Sequence, residues 1–322
     1  MSRMFISIFA PYLQSFLSLK RTLGYKYNGS SYILYSIDQY AKAKNINFLG
    51  LNKELSIEWC ARRPNEAERT WYGRVIVFRE FASYLKDNGI DAYIPVRPKH
   101  PNDSFVPHIF THDEINRLFN SADKLRLEKQ EMRSAIFSIP ILLRFLYGTG
   151  LRLNEALSLK DGDVNLQNGT VLAKNNKSGK DRIIPISETL VKSCENYLYY
   201  RNMLKMNGIK NNYFFVSING NKLYQTIVYR WYRVCLENAN IPFYGGYRGP
   251  RVHDLRHTFA VHSMASMADS GVDLYVSMPI LSTYMGHDSL KSTEYYLRLT
   301  AEMYPSVINN LEDTYLEIFP NL

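Results

Sequence analysis

Five short stretches of this chain carry residue types that can act on a phosphate. The sharpest is His253-Asp-Leu-Arg-His257. On a helix His253, Arg256 and His257 share one face, three and four residues apart. Arg256 offers an anion a planar fork, and His253 a proton donor beside it. Gly148-Thr-Gly-Leu-Arg152-Leu-Asn-Glu155 sets an arginine just after a glycine break. A helix starting there presents unpaired N–H groups that already favour anions, and Glu155 is placed to fix the Arg152 side chain. Lys177 lies in a hairpin loop, Lys174–Lys180, from which an ammonium can reach a ligand. Met285-Gly286-His287 puts a histidine at a turn, and Tyr295 and Tyr296 follow eight and nine residues later.

Each motif has a blander reading. His253 and His257, with His262 nearby, could form a metal pair, although the Glu of H-E-x-x-H and an obvious third ligand are missing. A buried histidine satisfied by hydrogen bonds, an exposed Glu155 carboxylate and a solvated basic loop are equally ordinary. Together, however, the residues match phosphoryl transfer from a phosphodiester to tyrosine. Arginine forks and imidazoles stabilise the negative charge of the transition state without a metal. The phenol, with an unperturbed pKa near 10, needs a base or a cationic field. The leaving oxygen needs a proton from a lysine or a histidine.

In these motifs the chain resembles the tyrosine recombinase (phage integrase) family. Thr149-Gly-Leu-Arg152-x-x-Glu155, His253-x-Leu-Arg256-His257, Met285-Gly-His287 and Tyr296 occur in the family's order. Lys177-Ser-Gly-Lys-Asp-Arg-Ile-Ile-Pro185 is similar to the family's G-K-G-x-K-x-R-x-x-P hairpin. Counting back from Pro185 selects Lys177 over Lys174 and Lys180. The family's tyrosine, nine residues after the Gly-His histidine, selects Tyr296 over Tyr295. Helical neighbours point about 100° apart, so only one of the two faces a given phosphate. Two departures stand out: Lys177 is flanked by Asn176 and Ser178 rather than glycines, and Pro279 interrupts what is commonly a compact helix pair between His257 and His287.

The resemblance implies a catalytic set of Arg152, Lys177, His253, Arg256, His287 and Tyr296, supported by Glu155 and His257. It implies strand cleavage through a 3′-phosphotyrosyl link on Tyr296, with no cofactor and no metal. The implied partner is double-stranded DNA at a specific recombination site, bound by a homotetramer on paired sites, and no membrane. A topoisomerase-like relaxing enzyme with the same chemistry and a non-catalytic DNA-architecture protein are the competing readings. The implied fold is mainly α. A helical core-binding (SAM-like) domain spans 1–97 and a proline-rich linker 98–107. A mostly helical catalytic domain with a small three-stranded antiparallel sheet spans 108–304. A tail helix, 305–322, would dock on a neighbouring protomer.

The elements that must position these residues are partly readable from periodicity. Tyr12, Phe16, Leu19 and Leu23 recur at helical spacing, as do Ile33, Ile37, Tyr40 and Ala41. Trp71, Val75, Phe78, Ala82 and Leu85 are interleaved with Arg69, Arg74, Arg79 and Lys86, which predicts a small bundle with one cationic face. Arg69, Arg74 and Arg79, with Lys180 and Arg182 of the hairpin, are the candidate DNA contacts. Four prolines between Tyr93 and Pro107 stop helices and central strands alike, and Thr111-His-Asp-Glu114 predicts a capping box opening a new helix. Val164–Leu166, Thr170–Ala173 and Ile183–Ile186 predict a three-stranded meander. Helices are predicted at Glu188–Met206, Tyr224–Ala239 and Val252–Met267, and Val307, Ile308, Leu311, Tyr315, Ile318 and Phe319 form an apolar stripe in the tail.

Composition frames the reading. The 322 residues suggest two domains, and 46% apolar content excludes a disordered chain. The net charge is +9, and residues 1–100 alone hold 15 Lys+Arg against 8 Asp+Glu. Such an excess favours nucleic acid or an acidic surface as partner. Cys60, Cys194 and Cys235 lie far apart, arguing against a disulfide framework or a cysteine zinc site and for a reducing compartment. Met4–Ala10 is broken by Pro11 and makes a poor signal peptide. The expected location is cytoplasmic, and nucleoid-associated when DNA is bound.

Overall fold

The computed structural model describes residues 4–101, 106–126, 135–174, 181–204, 212–245, 249–287 and 291–304. Lys177, Lys180 and the tail 305–322 lie outside the described residues. The chain divides into two compact units, Met1–Phe105 and Val106–Leu322. No helix among the described residues is long and apolar enough to cross a membrane.

The described helices of the first unit are α1 (Ala10–Thr22), α2 (Asn28–Ala43), α3 (Lys53–Cys60) and α4 (Glu68–Asp87). Pro11 opens α1, where its missing N–H costs nothing. Asn52 caps α3, its Oδ1 accepting from the Leu55 amide at 2.9 Å. The long α4 is the hub, packing Val75, Val77, Phe78, Phe81, Ala82 and Leu85 against the other three helices. In α1 the buried stripe is Leu13, Phe16 and Leu17, whereas Leu19 and Leu23 are exposed. At 3.6 residues per turn Leu19 falls well round from that stripe, and Leu23 is already the C-cap.

Arg74 requires a correction. Expected on a cationic face, it is 4% exposed and its guanidinium lies over the Trp59 ring. It pairs with Glu66 at 2.8 Å and donates to the carbonyls of Trp59 and Ala61. Position 74 is three residues after Trp71 and four before Phe78, so helical geometry carries it inward. A buried guanidinium with its donors spent on one carboxylate and two carbonyls is a structural group, not a DNA contact. Arg69 is exposed and Arg79 half-buried.

The second unit opens at α5 (His112–Asp123) with the capping box in place. Thr111 Oγ1 accepts from the Glu114 amide at 3.1 Å, and the Glu114 carboxylate from the Thr111 amide at 2.9 Å. α6 (Ile139–Thr149) is apolar nearly all round, as a central helix must be, and its one charged side chain, Arg144, reaches out to Asp123. Gly150, at φ +60, ends α6, and the single turn α7 (Leu153–Ala156) follows. The sheet is β1 (Val164–Asn165), β2 (Thr170–Ala173) and β3 (Arg182–Pro185), antiparallel in that order, with Val171 between Val164 and Ile184. Then come α8 (Glu188–Met203), α9 (Gln225–Asn238), α10 (Asp254–Asp269), α11 (Leu274–Met285) and α12 (Lys291–Met303).

α11 runs through Pro279 rather than breaking there. A proline in the second turn forfeits one backbone hydrogen bond. Leu281 and Met285 downstream are buried, and their packing holds the helix together. The main core surrounds α6, which touches α5, α8, α9 and α10. A smaller apolar cluster joins α10, α11 and α12 through Val261, Met264, Leu281, Met285, Tyr296 and Leu299.

Candidate active site

Tyr296 sits in α12 with 4% exposure, rooted in that smaller cluster. Its phenol turns toward α10, and His257 Nδ1 lies 2.9 Å from the oxygen. His287, at the α11–α12 turn, stacks parallel to the Tyr296 ring with centroids 5.8 Å apart. Tyr295 is half-buried, with the Arg298 guanidinium over its ring. The two neighbouring tyrosines therefore sit in different surroundings, and Tyr296 is the one among the motif residues. Burial pushes its phenol up, while the charges of Arg256 and Arg152 pull it down; burial prevails.

The first turn of α10 presents Arg256, 2% exposed. Its Nη1 donates to the Gly150 carbonyl at 2.5 Å and its Nη2 to the Met285 carbonyl at 2.7 Å. These carbonyls end α6 and α11, where backbone acceptors lack intrahelical partners and the dipole is negative. One cation thus ties two helix ends beside the tyrosine. Burial, then the neighbouring Arg152, lowers the Arg256 pKa to about 10, so it keeps its charge at neutral pH.

Arg152 is the N-cap of α7. Its amide and Nη1 both donate to the Glu155 carboxylate, at 3.0 and 2.9 Å, and Nη2 reaches toward the Gly286 carbonyl at 3.4 Å. The same carboxylate receives Arg182 Nη2 at 2.8 Å. Burial would raise the Glu155 pKa; the bonds from Arg182 and Arg152 outweigh it and hold the carboxyl below its ordinary range. His253, just before α10, is exposed, its ring perpendicular to that of His257 at 4.8 Å. Surrounding protein, then the charges of Arg256, Arg251 and Arg152, hold its imidazole below the ordinary histidine range.

Gly150 makes the arginine clamp possible. At φ +60 a Cβ would stand 2.5 Å from Phe259 Cδ1 and 3.0 Å from Met285 Sδ. Gly150→Ala is expected to cost at least about 2 kcal/mol, from the left-handed backbone and the overpacking together. Urea unfolding of the full chain measures it.

Residues 108–303 match the phage integrase family model. The chain belongs to the phage integrase family. It is 32% identical over 236 residues to the tyrosine recombinase XerA of Pyrococcus horikoshii, covering 70% of this chain and 69% of that protein. A putative integrase/recombinase, y4rB of Sinorhizobium fredii, is 26% identical over 317 residues, covering 95% and 98%. In fold the chain is similar to XerH site-specific recombinase bound to palindromic difH substrate (TM-score 0.61, 21% identity, covering 88% and 78%). It is similar also to the Tn1549 transposon integrase in complex with circular intermediate DNA (TM-score 0.62, 16% identity, covering 88% and 94%). As a tyrosine recombinase of the phage integrase family, the protein is an enzyme that cleaves and rejoins DNA.

In this integrase the structure brings Arg152, Glu155, Arg256, His253, His257, His287 and Tyr296 into one constellation. His262, the third member of the metal reading, lies elsewhere, bonded to Tyr147 Oη at 2.8 Å and stacked on His112. Arg182 is a second correction. Expected among the DNA contacts, it spends its fork on Glu155 and its Nε on the Tyr284 carbonyl at 2.9 Å. Strand alternation explains this, because Arg182 shares a face with buried Ile184 while Ile183 points outward. Arg182 also fills the space beside Gly286, where a Cβ would meet its guanidinium at 3.0 Å. Sequence reading assigned neither Gly286 nor Tyr284 a role. The positive φ of Gly286, at a turn between two motifs, is the kind of requirement glycine signals.

Proposed function

We propose that this chain is a site-specific DNA recombinase whose nucleophile is Tyr296. The observation that carries the proposal is the buried phenol held against His257 with Arg256 and Arg152 facing it. In this reading Tyr296 attacks the scissile phosphate, forming a 3′-phosphotyrosyl link and releasing a 5′-hydroxyl. Arg152 and Arg256 hold the non-bridging oxygens, His253 and His287 stabilise the developing charge and relay the tyrosine proton, and Lys177 protonates the leaving oxygen. Rejoining reverses the step with a hydroxyl from another strand, so the bond energy is kept in the phosphotyrosine and no nucleotide cofactor is consumed. A DNA carrying a nick beside the cleavage point traps the intermediate. The parent chain is expected to form a covalent adduct without added metal, and Tyr296→Phe to form none. An adduct at the parent rate from Tyr296→Phe contradicts the assignment.

The partner is double-stranded DNA at a specific site, with Arg69 and Arg79 of the first unit and Lys180 of the hairpin among the phosphate contacts. Four copies act on paired sites, linked by the apolar tail stripe of residues 307–319, and the enzyme works in the cytoplasm on the nucleoid. Removing residues 306–322 is expected to abolish cooperative assembly on DNA in a mobility-shift titration. Unchanged cooperativity contradicts the tail's role.

A further inference from the structure

His257 reaches the reacting atom directly. Its Nδ1 is 2.9 Å from the Tyr296 oxygen, at ordinary hydrogen-bonding distance. The direction of that bond follows from its neighbours. Arg256 and Arg152, the charges facing the phenol oxygen, carry only donors. A phenol 4% exposed needs an acceptor for its own O–H, because an unmade buried hydrogen bond costs about 1–3 kcal/mol. His257 Nδ1 is the acceptor placed there, provided that the imidazole is neutral with its proton on Nε2. Burial, then the neighbouring His253, Arg251, Arg256 and His287, keeps His257 neutral at pH 7.

From this geometry, and resting on Tyr296 as nucleophile, we propose that His257 is the catalytic base that takes the phenolic proton during strand cleavage. As the Tyr296 Oη–P bond forms, the O–H proton moves to His257 Nδ1. The P–O5′ bond breaks with its electron pair on the 5′ oxygen, which takes a proton from Lys177. Religation runs the same steps backwards, His257 returning its proton to the phenol. The scissile phosphate itself prepares the base, because its negative charge enters a pocket crowded with positive groups and raises the imidazole's affinity for a proton. The proton relay that the family resemblance assigns to His253 and His287 passes in this inference to His257, and those two keep the charge-stabilising role.

The test measures adduct formation on the nicked DNA with the full-length chain and its variants, each first shown to bind the DNA. The parent forming an adduct and Tyr296→Phe forming none separates this inference from the reading beneath it; a parent that forms none defeats that reading. His257→Ala and His257→Asn are expected to slow adduct formation by about 10²-fold or more, the scale of general base catalysis. Asparagine keeps a hydrogen-bonding group near the Nδ1 position but accepts no proton. Placing 3,5-difluorotyrosine at position 296, a stronger acid, is expected to shrink the His257→Ala deficit to about tenfold or less. His257→Asn at the parent rate overturns the proposal. So does a deficit in His257→Ala that the fluorinated tyrosine leaves unchanged, which would mark His257 as structural only.

Discussion

Arg256→Gln will form the covalent protein–DNA adduct at least about 10²-fold more slowly than the parent chain, the scale on which a preorganised oxyanion contact acts. The effect has two sources, and rate and stability measurements separate them. The charge at position 256 is buried, so its attraction for phosphate oxygens is screened far less than that of a surface arginine. The guanidinium also satisfies the carbonyls of Gly150 and Met285, and each one left unpaired costs about 1–3 kcal/mol of stability. Measured at saturating DNA and a temperature where the variant is folded, the remaining rate loss belongs to the phosphate. Arg256→Lys is expected to keep the charge and still lose most of the rate, because one ammonium cannot span two carbonyls and a phosphate. A lysine variant at the parent rate contradicts the fork.

Glu155→Gln will lower the stability of the chain by about 3 kcal/mol at neutral pH, since removing one partner of a buried ion pair strands the other. Two arginines are stranded here, Arg152 and Arg182. Because the folded Glu155 pKa lies below its ordinary value, its contribution is complete above the unfolded carboxylate pKa of about 4.3 and is lost as pH falls through the lower folded value. The gap between parent and variant is therefore expected to be widest at pH 7 and to narrow below about pH 4. Urea unfolding at the two pH values measures it. A gap independent of pH contradicts the ionised clamp.

The catalytic motifs were legible because each is short and its spacing fixes a local face. His253 at the N-cap of α10 with Arg256 and His257 on its first turn, and Arg152 at the N-cap of α7 with Glu155 inside it, follow from helical geometry alone. The meander was legible because Asn168-Gly169 and alternating apolar residues leave few other options; Gly169 has φ +58. At Arg74 and Arg182 charge is a poor guide to exposure. The same periodicities place both inward, Arg74 with Phe78 and Arg182 with Ile184. What no local pattern holds is long-range contact. That Tyr296 meets His257 across 39 positions, and that Arg256 ties the ends of α6 and α11, depends on how four helices pack.

The central claim is that one phenol among 25 tyrosines carries the strand. Its most direct measurement is isolation of the trapped protein–DNA adduct, digestion of both components, and mass spectrometry of the peptide that retains the nucleotide. The peptide is expected to contain residues 295 and 296, with fragmentation placing the phosphate on Tyr296. A phosphate on Tyr295, or on any residue outside α12, would contradict the account.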